Sequence, residues 1–175
     1  QDKFHPEIFA PYMDGFKFFD TIEEATKNIS DKTVGVMIEL VQGEGGIKAF
    51  EKEAGKKLAK TLKERKLLLI TDEVQCGVYR TGEFVTSKIY GIKPDVITFA
   101  KALGGGVGIG ACVSRKDVFE PGDHGSTFGG NFLATASGLA TLKELKRLKK
   151  EGKLDEISAK FNEHLDELVK KFPKI

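Results

Sequence analysis

Two apolar runs of strand length, each ending on a group that can do chemistry, constrain this chain more than any other feature. Leu67-Leu68-Leu69-Ile70-Thr71 leads into Asp72-Glu73-Val74-Gln75, and Val96-Ile97-Thr98-Phe99-Ala100 leads into Lys101 and then Gly104-Gly105-Gly106. Short runs that are continuously apolar, rather than alternating, fit strands covered on both faces. In an open parallel sheet the carboxyl ends of the strands face one crevice, where ligands sit. Asp72 and Lys101 are therefore expected to reach one small molecule from neighbouring strands. An acid and an amine on one crevice suit a ligand with a basic ring nitrogen and an aldehyde.

The rest of the chain supplies the layers around those strands. Val34-Gly35-Val36-Met37-Ile38 is a third buried strand, running through Glu39 into the polar loop Gln42-Gly43-Glu44-Gly45-Gly46. Phe50, Ala54, Leu58 and Leu62 recur every four residues, with lysines between them, which predicts one amphipathic helix. Strand, helix and strand in that order make a βαβ unit with a parallel pair. Upstream, residues 1–19 read as loop with a short strand near Phe16–Phe19. Asp20 with Glu23 three residues on predicts a capped helix reaching about Ile29 and burying Ile22, Ala25 and Ile29. Downstream, Val85–Tyr90 reads as a short helix and Ile109–Ser114 as a short strand. Pro121–Asn131 reads as a long loop, and loops of this length often carry function. Two helices close the chain, one over Leu133–Leu148 with Leu142, Leu145 and Leu148 on one side. The other carries a stripe of Leu154, Ile157, Phe161, Leu165, Leu168 and Phe172.

Composition excludes several classes. A net charge of +2 on 175 residues gives no reason to expect nucleic acid or an anionic membrane as partner. No apolar run approaches the roughly 18 residues of a membrane span, and the opening Gln1-Asp2-Lys3 has no signal-peptide pattern. Cys76 and Cys112 lack metal or redox spacing, and two free thiols fit a reducing cytoplasm. His5, His124 and His164 lie too far apart in sequence for a metal motif, so no metal is expected. The window Gly104–Gly110 fails the dinucleotide fingerprint, because the third required glycine falls on Ala111, and no P-loop or G-x-S-x-G elbow is present. Lysine runs such as Lys149-Lys150 read as a solvated helix face.

Asp72-Glu73-Val74-Gln75, the strand ending Phe99-Ala100-Lys101 before a glycine run, and His124-Gly125-Ser126-Thr127-Phe128-Gly129-Gly130-Asn131 together resemble the class III pyridoxal-phosphate aminotransferases. Gln42-Gly43-Glu44-Gly45-Gly46 is a further signature of that family, and the motifs fall in family order over nearly the whole chain. The resemblance implies an α/β fold, a three-layer mostly parallel sheet with helices on both faces (the fold type I large domain), here incomplete. It implies pyridoxal 5'-phosphate as cofactor. Lys101 would form the Schiff base with the cofactor aldehyde and move the substrate proton, and Asp72 would pair with the pyridine nitrogen and keep it protonated. Val74 would pack on the ring, Gln75 would donate to the ring's phenolic oxygen, and Thr127 beside Ser126 would hold the phosphate. Because that loop reaches a neighbouring subunit in the family, a homodimer is implied. Glu44 resembles the glutamate that pairs with a switching arginine, which puts Glu44 and Gln75 beside the substrate, and Glu39 resembles a carboxylate just behind the site.

The family enzymes are longer. Neither the upstream phosphate cup and stacking aromatic nor the downstream substrate arginine is found here. Residues 1–150 are therefore expected to be the central part of the large domain, with 151–175 a helix leading toward a small C-terminal domain. Leu40, Gly108 and Phe132 stand where the family usually has proline, and Tyr79 where it has a small residue. The motifs lie nearest the acetylornithine branch, which implies a cytoplasmic enzyme of arginine biosynthesis moving an amino group from N-acetylornithine to 2-oxoglutarate. Ornithine or 4-aminobutyrate as donor is the alternative within the family. A non-catalytic module lacking the cup and the arginine is the alternative outside it.

Overall fold

A computed structural model describes residues 10–115 and 117–173. Helix α1 spans Ile22–Lys27, strand β1 Gly35–Ile38, β2 Val41–Gln42, β3 Lys48–Ala49, helix α2 Lys52–Glu64 and β4 Leu68–Asp72. They are followed by α3 Thr86–Ile89, β5 Val96–Phe99, a one-turn 3-10 helix Lys101–Gly104, β6 Ala111–Ser114, α4 Phe132–Lys150 and α5 Lys153–Lys171. The main sheet has the order β1-β4-β5-β6. Strands β1, β4 and β5 are parallel, and β6 closes the edge antiparallel to β5. This is the mostly parallel α/β sheet, with helices packed on it, that the three apolar runs predict.

Strand β1 is joined to β4 through α2, and the alternation of the strands decides what α2 covers. Val36 and Ile38 of β1 register with Leu69 and Thr71 of β4. On that side Ile38, Leu69, Leu58, Leu62, Ile22, Leu40, Tyr90 and Ile92 form one core cluster. Leu58 and Leu62 of α2 are fully buried, and removing each such side chain from water contributes about 1.5–3 kcal/mol. A second cluster joins Val78, Phe99 and Leu103, with Ile97, Leu142 and Leu145 packed against it, so α4 is seated at the β5 end of the sheet. By alternation Met37 and Cys112 point to the opposite face, where both are exposed.

Several details differ from the sequence expectations. Thr21, not Asp20, caps α1: its side chain accepts from the Glu24 N–H at 3.1 Å, and the helix stops at Lys27. With Thr21 as cap, the residue three positions on is Glu24, so a cap-plus-glutamate pattern could be read one step early. Residues 16–19 form no strand; Phe16 and Phe18 are exposed and have no alternating pattern to pair with a neighbour. The last strand begins at Ala111 rather than Ile109. Gln42–Gly46 is not a free loop. It is the tip of a hairpin whose two-residue strands β2 and β3 are too short to show a period. The stripe of α5 forms as a helix, yet Ile157, Phe161, Leu165, Leu168 and Phe172 remain exposed. His5 and the opening residues lie outside the described residues.

Candidate active site

The carboxyl ends of β4 and β5 bring the two chemical groups to one edge of the sheet. Asp72 is the last residue of β4 and registers with Thr98 of β5. Lys101 follows three residues beyond Thr98, so chain geometry keeps the two Cα atoms within roughly 16 Å of each other. The pairing continues one residue past the strand, where the Glu73 N–H donates to the Thr98 carbonyl at 3.0 Å.

Asp72 is half-buried and oriented by its surroundings. Its Oδ1 accepts from the Val74 N–H at 2.9 Å and from the Thr98 hydroxyl at 3.3 Å. Both bonds fall on one oxygen, and among the described residues Oδ2 accepts none. A carboxylate fixed through one oxygen keeps the other for a cationic N–H, such as a protonated ring nitrogen.

Lys101 is exposed, and its backbone φ is 42°, in the left-handed region. A side chain with a Cβ pays about 1–2 kcal/mol for that conformation, which persists only where neighbours impose it. Here the Leu103 N–H donates to the Ala100 carbonyl at 2.9 Å, closing the turn that starts at Lys101. The amine makes no hydrogen bond or ion pair with any described residue, which leaves it able to reach into the crevice.

Gln75 and Glu44 meet across the edge of the site. Gln75 Nε2 donates to Glu44 Oε1 at 3.1 Å, joining the loop after β4 to the tip of the β2–β3 hairpin. The tip is held from behind by Glu39, whose Oε1 accepts from the Gly43 N–H at 3.2 Å. Gly43 is packed so closely on Gln75 that a Cβ there would run into Gln75 Oε1. Only glycine lets the hairpin sit against that amide. Val74, between Asp72 and Gln75, is half-buried.

Ser126 and Thr127 are placed differently. All residues from 121 to 131 are exposed. Ser126 Oγ accepts from the Gly129 N–H at 2.8 Å, and Asn131 Oδ1 caps α4 through the Ala134 N–H at 3.0 Å. Among the described residues neither hydroxyl hydrogen-bonds to Asp72, Gln75 or Lys101. The site residues are thus Asp72, Val74, Gln75, Glu44 and Lys101 on and around the sheet edge, with Ser126 and Thr127 on an exposed loop.

Three supporting residues escape the sequence reading. Glu73 is fully buried, with its carboxylate accepting from the Thr86 N–H at 2.7 Å and the Ser87 N–H at 2.8 Å. It ties the first turn of α3 to the residue after Asp72. The buried Cys76 thiol lies 3.6 Å from the same carboxylate. Burial, with that negative charge adding to it, pushes the thiol up to about 11. Thr98 is the second: its register with Asp72 follows from aligning the two apolar runs, but its hydrogen bond does not. Ser137, the third, donates to the Gly104 carbonyl at 2.7 Å from α4, 33 positions away in the chain, a separation no local pattern encodes. Among the described residues no group of three or more His, Cys, Asp or Glu side chains could hold a metal.

A mostly parallel α/β sheet with an acid and a lysine at adjacent strand ends defines the structural class of the chain. Comparison with known proteins narrows the class. Residues 8–175 match the aminotransferase class-III family. The chain is 51% identical over 176 residues to the acetylornithine aminotransferase of Wolinella succinogenes, covering 100% of this chain and 44% of that one. It is 43% identical to the acetylornithine aminotransferase of Methanocaldococcus jannaschii, covering 94% of this chain and 42% of that one. The ornithine aminotransferase of Toxoplasma gondii superposes with a TM-score of 0.79 at 33% identity, covering 95% of this chain and 40% of the other; that crystal has partial occupancy of PLP at its active site. The chain belongs to the class III aminotransferase family. It spans less than half the length of these relatives.

Proposed function

We propose that this chain is the cofactor-holding part of a pyridoxal 5'-phosphate-dependent aminotransferase that moves an amino group from N-acetylornithine to 2-oxoglutarate. The observation that carries the reading is the placement of a half-buried carboxylate at the end of one strand and, just past the end of its parallel neighbour, a lysine whose amine bonds to no described residue. The donor set fits the cofactor: Asp72 offers one unused carboxylate oxygen, Lys101 a primary amine, and Gln75 an amide held at a fixed place by Gly43 and Glu44. When bound, pyridoxal 5'-phosphate supplies the aldehyde that captures amines and the ring that takes up an electron pair.

The chain's own residues would do the rest. Asp72 would keep a proton on the ring nitrogen, its direction fixed by the Val74 N–H and Thr98. Lys101 would carry the cofactor through its amine, and as a neutral amine it could take and return the proton at the substrate carbon. Gln75 has two amide hydrogens, so it can donate to Glu44 and to the ring oxygen together. Val74 would limit the ring's motion. Ser126 and Thr127, exposed on their loop, suit the phosphate of a cofactor across a homodimer interface. Glu44 would then pair with the arginine that the family resemblance implies, freeing or engaging it for a substrate carboxylate. No described helix is long and apolar enough to cross a membrane, and we place the enzyme in the cytoplasm. Residues 151–175, mostly α5, would lead to a C-terminal domain.

Borohydride treatment of the protein with pyridoxal 5'-phosphate, followed by peptide mass spectrometry, tests the reading. A reduced adduct on the peptide containing Lys101 is expected, and its loss in Asp72→Ala is a second expectation. An adduct spread over surface lysines, or none, overturns it. For the donor, the full-length protein is mixed with N-acetylornithine, ornithine or 4-aminobutyrate in turn, and the cofactor absorbance is followed. A response to the latter two alone overturns the substrate. The exposure of Ser126 and Thr127, which hydrogen-bond to none of Asp72, Gln75 and Lys101 among the described residues, favours a second reading, a folded module that does not hold the cofactor by itself. Absence of any adduct supports that one.

A further inference from the structure

The turn that begins at Lys101 is held by few bonds for a strained element. Lys101 has a positive φ, and Gly105 at its end has φ +58°. Backbone bonds Leu103 N–H to Ala100 and Gly105 N–H to Ala102, at 2.9 and 3.3 Å, close it internally, and the Val107 N–H just beyond it donates to the Gly104 carbonyl at 3.1 Å. None of these three reaches another element. Leu103 and Gly104 are buried beneath α4. The face that α4 turns to them carries small residues, Ala134, Ser137, Gly138 and Thr141, at the i, i+3, i+4, i+7 spacing of one helix side, flanked by Leu142 and Leu145, which pack on the Leu103 cluster. A Cβ at Gly138 would lie 3.6 Å from the Leu103 carbonyl, and one at Gly105 would run into Thr141 Oγ1. From this face a single polar tie crosses: the Ser137 hydroxyl donates to the Gly104 carbonyl at 2.7 Å. Among the described residues it is the one side-chain hydrogen bond made to residues 100–106.

We propose that Ser137 is a positioning residue for Lys101. Its hydroxyl anchors the carbonyl end of the turn whose first residue is Lys101, and so sets the direction in which the amine enters the crevice. The inference rests on the reading of Lys101 as the cofactor-bearing lysine. Packing of Leu103 against Leu142 and Leu145 seats the turn on α4, but apolar contact is not directional. A hydrogen bond is directional and selects one orientation. The same helix begins at Asn131, so α4 also ties the position of the Ser126–Thr127 loop to that of Lys101.

Ser137→Ala and Ser137→Thr separate this role from packing. Alanine removes the donor while raising helix propensity, so the fold survives; threonine keeps a hydroxyl. Hydrogen–deuterium exchange is measured first, without cofactor. Amides of residues 102–107 should exchange about three- to tenfold faster in Ser137→Ala, the range of one net hydrogen bond, and return toward wild type in Ser137→Thr. Each protein is then trapped with borohydride and pyridoxal 5'-phosphate, and the induced circular dichroism of the bound cofactor is recorded. Slower trapping by about the same factor and a weakened dichroic band in Ser137→Ala, both restored in Ser137→Thr, support the proposal. Equal exchange and equal trapping in all three proteins overturn it while leaving Lys101 in its role. Trapping in the wild type at a lysine other than 101, or at none, overturns the reading of Lys101 and this inference with it.

Discussion

Replacing Glu73 should separate the residues that hold the site together from those that act in it. Glu73 is fully buried and its carboxylate accepts two backbone N–H groups, of Thr86 and Ser87, at 2.7 and 2.8 Å. Truncation in Glu73→Ala removes the acceptor of both donors. Each such donor costs about 1–3 kcal/mol, and the vacated volume adds to that. The sum is roughly 3–5 kcal/mol, against a total stability of about 5–15 kcal/mol for a domain. Glu73→Gln keeps the volume and one accepting oxygen but turns an NH2 toward the other donor, so about half the loss is expected. In urea, with a slope of about 2 kcal/mol/M, the midpoint should fall by roughly 2 M for alanine and 1 M for glutamine. Asp72→Asn is the contrast. Asparagine retains an oxygen able to accept from Val74 and Thr98, so its midpoint should move by less than about 0.5 M while trapping of the cofactor at Lys101 falls. A Glu73→Ala midpoint within about 0.3 M of wild type would refute the account of Glu73 as the buried tie.

Further outcomes follow from the same structure. Leu58→Ala, at a fully buried position of α2, should cost about 2–5 kcal/mol in urea unfolding, and a loss under about 1 kcal/mol would contradict the packing of α2 on β4. Gly43→Ala should displace Gln75, whose Oε1 occupies the space of the new Cβ; equilibrium titration with pyridoxal 5'-phosphate should then show affinity reduced about fivefold or more, and unchanged affinity would remove Gln75 from the site. Burial raises the Cys76 thiol from 9.0 to about 11. Its folded value lies above its unfolded one, so its contribution is complete below about pH 9 and is lost as pH rises toward 11. Urea unfolding at several pH values should show a decline over that window that Cys76→Ala flattens, and an equally steep decline in the variant would exclude the thiol as a source.

The elements were legible wherever one period dominated. Val96–Phe99 stands as a strand at the residues expected, and the four-residue spacing of Phe50, Ala54, Leu58 and Leu62 gave α2. The parallel arrangement of β4 and β5, and with it the common edge of Asp72 and Lys101, followed from apolar runs with no alternation. What escaped depends on tertiary contact. The β2–β3 hairpin has two residues per strand, below any readable pattern. Glu73 reads in sequence as one more acid after a strand, because burial of a carboxylate is decided by the two N–H groups of α3 that fold back to it. The α5 stripe had a clear period and formed its helix, yet period reports which face is apolar and not what lies against it. No described element covers that face.

The division of labour around the crevice has a physical reason. The side chains that would meet the cofactor, Asp72, Gln75 and Lys101, are half-buried or exposed and keep bonding capacity in reserve. A group that must form new bonds during turnover cannot spend all its donors and acceptors on the fold. Rigidity must then come from neighbours that take no part in the chemistry. Glu73 adjoins Asp72 and is fully buried; Gly43 presses on Gln75; Ser137 ties the turn that opens at Lys101. Each of these supports sits on a different element, α3 through Glu73, the hairpin through Gly43 and α4 through Ser137, and each acts on a different one of the three groups. Damage to one support should therefore misplace one group and leave the other two in register. Such variants would show separate defects in ring-nitrogen pairing, ring-oxygen bonding and lysine capture, where a generally loosened fold would lose all three together.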